Sequence, residues 1–146
     1  MENKLQLLAG YLLGLKIMHH AHHWQTYGAG FLADHEMFAK FYEQTDKDLD
    51  VVAEKIVGMG KREDTNYFQL LKIAEEFLSK CSEQESIIVN STVAERTMMD
   101  LAKELVGIFS ESSEYGLEQA IGNIIDIHET HMYMLTARHL ELNASQ

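Results

Sequence analysis

Residues 31–59 read FLADHEMFAKFYEQTDKDLDVVAEKIVGM, and this stretch decides the fold. Phe31, His35, Phe38, Tyr42, Thr45, Leu49, Val52, Ile56 and Met59 follow one another at alternating steps of four and three residues. Such spacing holds one stripe on the side of an α-helix for about four heptads, the pattern by which long helices pack side by side. Asp34 and Glu36 suit the positive end of a helix that starts near Ala33. Gly58, Gly60 and the charged run Lys61 to Asp64 close it.

Working outward, the same kind of pattern recurs on both sides. Leu5, Leu8, Leu12, Leu15, His19 and His22 or His23 recur at three- and four-residue steps, and Gly28-Ala29-Gly30 ends that helix. Leu7, Tyr11, Leu13 and Ile17 make it apolar on more than one side, the pattern of a helix with two neighbours, another subunit being an alternative for one of them. A shorter helical segment, about Tyr67 to Lys80, leads to a polar link from Cys81 to Glu85. Ser91 or Thr92 then reads as a helix cap, with Glu95 completing a capping box. The helix that follows has the seam Ala94, Met98, Leu101, Leu105, Ile108 and stops at Ser110 to Ser113. The last runs from about Tyr115 to Leu142, with Leu117, Ile121, Ile124, His128, His131 and Leu135 on one stripe. There is no strand signal and no internal repeat. The expectation is an all-α four-helix bundle over residues 1–146, with a short helix between the second and third long helices.

Composition narrows the chemistry. The chain has 146 residues, no proline and one cysteine, so disulfide frameworks and cysteine-rich zinc modules are excluded. Twenty-three acidic against 12 basic side chains give a net charge of −11, which disfavours a phosphate-binding groove and favours cations. Leu5 to Leu15 imitates the core of a signal peptide, but only Lys4 flanks it on the basic side and no cleavage site follows. No apolar run approaches the roughly 20 residues that span a bilayer. The expected location is the cytoplasm, with no membrane partner.

Histidine and carboxylate are the ligands on offer. Four-helix bundles with a dinuclear site in one chain carry Glu-x-x-His on two helices. No glutamate here has histidine three residues later, so that site is not expected. The candidates are His23, at the end of the first helix, and His35, Asp50 and Glu54 on the second. Asp50 and Glu54 share a helix face, and His23 lies across the Gly28 turn from His35. His35 and Asp50 are 15 residues apart, or about 22 Å along one helix, too far to share an ion within one chain. Two antiparallel second helices related by a two-fold axis bring the histidines of one chain to the carboxylates of the other, twice per dimer.

The residues His23-Trp24, Gly28, Phe31, His35, Tyr42 and Asp50-Val51-Val52-Ala53-Glu54-Lys55 resemble the Dps family, the ferritin-like mini-ferritins; His20 also fits. Residues 127–137 are similar to that family's last helix, more loosely. The resemblance implies a ferritin-like fold and a dimer-built shell of twelve subunits. It implies a ferroxidase centre of His23 and His35 from one subunit with Asp50 and Glu54 from its neighbour. Iron, as a single ion or a di-iron pair, is the implied metal; Fe(II) would be oxidised by hydrogen peroxide or O2 and stored as ferric mineral, protecting against oxidative stress. Lys55 stands where many members carry arginine, and Gly58-Met59-Gly60-Lys61-Arg62 replaces the usual loop. Neither terminus carries the family's lysine-rich tail, which argues against DNA binding. A DNA-packing shell and a structural shell without redox activity remain alternative readings.

Other residues receive plainer expectations. His19, His20 and His22 read as interface or surface groups, and His128 with His131 as a packed, hydrogen-bonded pair. Asp100 and Glu104 read as a solvated face, and Trp24 as packing at the dimer contact or a partner in radical chemistry. The methionines read as core filler, and Cys81 as an incidental residue of a polar link.

Overall fold

The structure, a computed structural model, describes residues 3–144. Its elements are α1 (Lys4–Gln25), α2 (Phe31–Gly58), a 3-10 turn (Arg62–Thr65), α3 (Tyr67–Cys81), α4 (Ile87–Glu111) and α5 (Tyr115–Ala144). No strand occurs among the described residues. Helices α1, α2, α4 and α5 form the bundle, and α3 lies along α1. The two-sided apolar character of α1 is thereby explained: it packs on α2, α3 and α4 at once.

The α1 start is capped by Asn3, whose side chain accepts from the Gln6 N–H, and α3 by Asn66 in the same way. The expected cap of α4 is corrected. Ser86 caps it, accepting from the Val89 N–H, so Ser91 and Glu95 fall inside the helix and are buried. Ser86 stands directly before Ile87 and Ile88, so the apolar run begins there. Thr92 turns its hydroxyl back onto the Ile88 carbonyl at 2.8 Å, the usual behaviour of threonine within a helix. Cys81 is also buried, at the end of α3 rather than in a polar link.

The heptad stripe of α2 faces the core only in part. Thr45, Leu49, Val52 and Ile56 are buried, but Phe31 and Met59 at its ends are exposed. A straight α-helix drifts by about 20° per heptad against a 3.5-residue repeat. Over the first half of α2 the core therefore takes Asp34, Met37 and Phe41 beside the stripe residue Phe38, and Asp48 joins Thr45 and Leu49 further along. His35 and Tyr42 are rotated outward to half-buried positions, where the end of α1 meets them.

Two apolar clusters fill the interior. The larger includes Leu8, Leu12, Leu15, Leu49, Ala94 and Ile124; the smaller is Met37, Phe38, Phe41, Ile88 and Leu135. Each bundle helix also buries a polar residue: His19 on α1, Asp48 on α2, Glu95 on α4, and His128 with His131 on α5.

Candidate functional site

At the α1–α2 turn the imidazoles of His23 and His35 stack with ring centroids 3.7 Å apart. Each donates its Nδ1–H to the other's backbone carbonyl, at 2.7 Å from His23 and 2.8 Å from His35. Gly28, at φ +83, makes the tight turn that sets this register, a conformation open to glycine without a Cβ penalty. With Nδ1 committed as donor, Nε2 carries the lone pair of each neutral ring. Locking one ring nitrogen by a carbonyl is how proteins orient histidine toward a metal with the other. Phe31 stacks on His35, and His20 stacks on Tyr42 and meets Trp24 at a tilt, each 4.2 Å away. The rim is apolar and open: Trp24, Tyr27 and Leu32 are all strongly exposed.

Asp50 and Glu54 lie one turn apart on the same helix, both exposed. Asp50 borders a groove with Asp46, Thr65 and Tyr67, and Glu54 one with Lys55, Glu114 and Gly116. Helix α2 is unbroken from Phe31 to Gly58, so Asp50 stays about 22 Å and Glu54 about 28 Å from His35 along the axis. One chain thus unites His23 with His35, and Asp50 with Glu54, but not the two pairs.

The bundle interior holds a second arrangement. Glu95, fully buried, sits among three imidazoles: Oε1 lies 2.8 Å from His19 Nε2 and 3.2 Å from His131 Nδ1, and Oε2 lies 2.6 Å from His128 Nδ1. His128 Nε2 reaches Asp48 Oδ2 at 2.7 Å. Ser91 Oγ contacts His22 Nδ1 at 2.7 Å and His19 Nδ1 at 3.4 Å. Among the described residues no buried side-chain nitrogen or oxygen lacks a partner. Burial disfavours the charged form of His128, but the Glu95 charge and hydrogen bonds to Asp48 and Glu95 outweigh it, and the group is pushed up to about 9. Burial likewise opposes the Glu95 carboxylate, yet the charge of His128 and the three histidine hydrogen bonds hold it well below the usual range. His22 is pulled down to about 4 by burial and by His19.

Residues 2–143 match the ferritin-like domain family. The chain belongs to the ferritin-like family. Its fold is also that of a Dps protein from Vibrio cholerae O1, described as a member of a broad superfamily of ferritin-like diiron-carboxylate proteins. That match has a TM-score of 0.80 and 18% identity, over 92% of this chain and 86% of the other. A Porphyromonas gingivalis protein named DNA protection during starvation protein is 31% identical over 71 residues, 47% of this chain and 45% of its own length. General stress protein 20U of Bacillus subtilis is 26% identical over 121 residues, 81% of this chain and 82% of its own. The Dps resemblance seen in the sequence is thereby upheld.

A ferritin-like dinuclear site inside the bundle takes a glutamate from each of two helices and Glu-x-x-His from each of two others. The interior of this ferritin-like chain does not fit two such ions: it offers two carboxylates, Asp48 and Glu95, against three histidines. The sequence reading missed this cluster. His19, expected at an interface or surface, is fully buried; Glu95, expected at a cap, is central; Asp48, adjacent to the seam residue Leu49, is buried as well. The available signal was a polar residue at a core position of every long helix, visible once α4 is started at Ser86. The expected pairing of His128 with His131 is observed, with ring centroids 4.5 Å apart.

Proposed function

We propose that this ferritin-like chain is the subunit of a Dps-type ferroxidase and iron store. Fe(II) is the substrate, bound between His23 and His35 of one subunit and Asp50 and Glu54 of the partner subunit. The observation that carries this reading is the reciprocal Nδ1–carbonyl lock, which readies two imidazole Nε2 atoms on one surface. The histidines give borderline nitrogen donors and the carboxylates hard oxygen donors that favour the ferric product, a mixed set suited to iron in both states. In each turnover two Fe(II) ions lose one electron each, and one hydrogen peroxide takes both electrons and two protons to give two waters. Ferric iron then passes to a mineral inside a hollow shell built from dimers. Where O2 replaces peroxide, the same electrons reduce it instead.

Two further features support the reading. The surplus of acidic side chains draws Fe(II) toward the protein, and the same charge opposes wrapping of DNA. No helix among the described residues is long and apolar enough to cross a membrane, which suits the proposed cytoplasmic shell.

The test mixes two inactive variants, His23→Ala/His35→Ala and Asp50→Ala/Glu54→Ala. Each alone should lose rapid Fe(II) oxidation under peroxide, followed by ferric absorbance. After subunit exchange each mixed dimer regains one intact site, so random mixing should restore about a quarter of the wild-type sites. Absence of recovery, with exchange verified by native mass measurement, would overturn the intersubunit geometry.

A further inference from the structure

We propose that the bundle interior binds one divalent transition-metal ion between Glu95, His128 and His131, independently of the surface half-sites. The ligand atoms of these three residues lie within 4.8 Å of one another, and all three side chains are buried. His128 and His131 are one turn apart on α5, so their rings share a face. Both aim Nδ1 at the Glu95 carboxylate, one at each oxygen.

Three aspects of the surroundings point to a metal rather than to a merely satisfied polar layer. First, the ring nitrogen of His128 that faces away from the triad is held by Asp48. A carboxylate behind a ligating imidazole is the standard means of fixing its tautomer and raising its basicity. Second, Asp48 and Glu95 bring two formal negative charges into the interior; the His128 imidazolium offsets one of them, and a divalent cation that displaces its Nδ1 proton to solvent offsets both. Third, the site has an approach. A groove of about 370 Å³ between α2 and α5, lined by Lys40, Phe41, Gln44, Asp126 and Thr130 among others, has the triad's His131 in its lining.

The donor set fixes the class of ion. Two imidazoles and one carboxylate, with the His19 ring next to Glu95 as a fourth side chain in reach, suit zinc, iron, cobalt or nickel and not the oxygen-seeking magnesium or calcium. The carboxylates needed to bridge a second ion are missing, so occupancy stops at one. The site is consequently unlike both a dinuclear carboxylate centre and the intersubunit half-sites.

Co(II) serves as the probe. The full-length assembly carrying His23→Ala/His35→Ala is stripped with chelator, titrated with Co(II), and assayed for visible d–d bands and for metal per chain after gel filtration. Asp50→Asn/Glu54→Gln provides the same background through the other half of the surface site. One tightly held Co(II) per chain is expected in both. Adding Asp48→Asn should weaken binding about 10- to 100-fold, and adding Glu95→Gln should abolish it. Should Glu95→Gln fail to assemble, His131→Gln, in the groove lining, replaces it with the same expected loss. The proposal is overturned if the folded surface-disabled proteins hold no Co(II), or if either triad variant, folded by circular dichroism, keeps full stoichiometry.

Discussion

At the residue scale the unusual feature is His128, an imidazole with a carboxylate on each nitrogen. Its folded value of about 9 stands above the ordinary 6.5. Folding therefore retains a proton that the unfolded chain releases, and the resulting stability is complete below pH 6.5 and lost as pH rises through about 9. The contribution is on the order of 3 kcal/mol; the lowered Glu95 value reports the same contact and is not added to it. His22 acts in the opposite sense. Its folded value of about 4 means the unfolded chain takes up a proton first, so stability declines as pH falls from 6.5 to about 4. Urea denaturation of the chelator-treated protein should thus show maximal stability near pH 6.5. Asp48→Asn should flatten the limb between pH 6.5 and 9, and an unchanged alkaline limb would refute the assignment to His128. The residues of this network were the least legible in the sequence. Glu95 is one position from Ala94 on a seam, and a cap, a surface charge and a core charge look alike until the partners are placed. The approach of His23 to His35 was easier to read because it follows from helix geometry across one short turn, whereas their union with Asp50 and Glu54 belongs to the proposed dimer.

At the scale of elements, helix number and type were legible because the three-and-four periodicity is strong and no proline interrupts it. Periodicity gives a helix its apolar side but not its neighbour, so the seat of α3 was not legible. The neighbour is chosen by space. Along α1, Gly10 and Gly14 stand four residues apart, where a Cβ on Gly10 would collide with Ile73 and one on Gly14 would lie 2.7 Å from Phe77 Cδ1 and 3.2 Å from the Ala74 carbonyl oxygen. The two glycines thus form a flat strip on which α3 rests. In an isolated helix Gly→Ala gains about 1 kcal/mol. Here Gly14→Ala should reverse that sign, because overpacking of a filled interface costs about 1–3 kcal/mol and Phe77, itself buried, has nowhere to turn. Thermal unfolding by circular dichroism should show a melting temperature lower by several degrees. A rise would mean that α3 yields, and that the strip does not set its position.

At the scale of the molecule, one chain leaves an apolar surface beside its histidine pair, which the proposed shell would cover. Trp24 is 67% exposed, Tyr27 89% and Leu32 66%, all within the α1–α2 turn region. A second copy laid antiparallel along α2 buries this surface in the same act that carries Asp50 and Glu54 to His23 and His35, so assembly and site completion are one event under the proposed function. Trp24 reports on it directly, being the chain's single tryptophan. In the assembled protein its emission should lie at short wavelength, as for an indole out of water. Dissociation at low protein concentration should move it to long wavelength while the far-ultraviolet circular dichroism stays helical. Iron oxidation measured on the same samples should fall in step with the shift, since a lone chain keeps each half-site but joins none. An emission maximum that ignores dissociation would place the subunit contact on another face of the bundle. Oxidation that persists in the dissociated chain would place the reaction within one subunit.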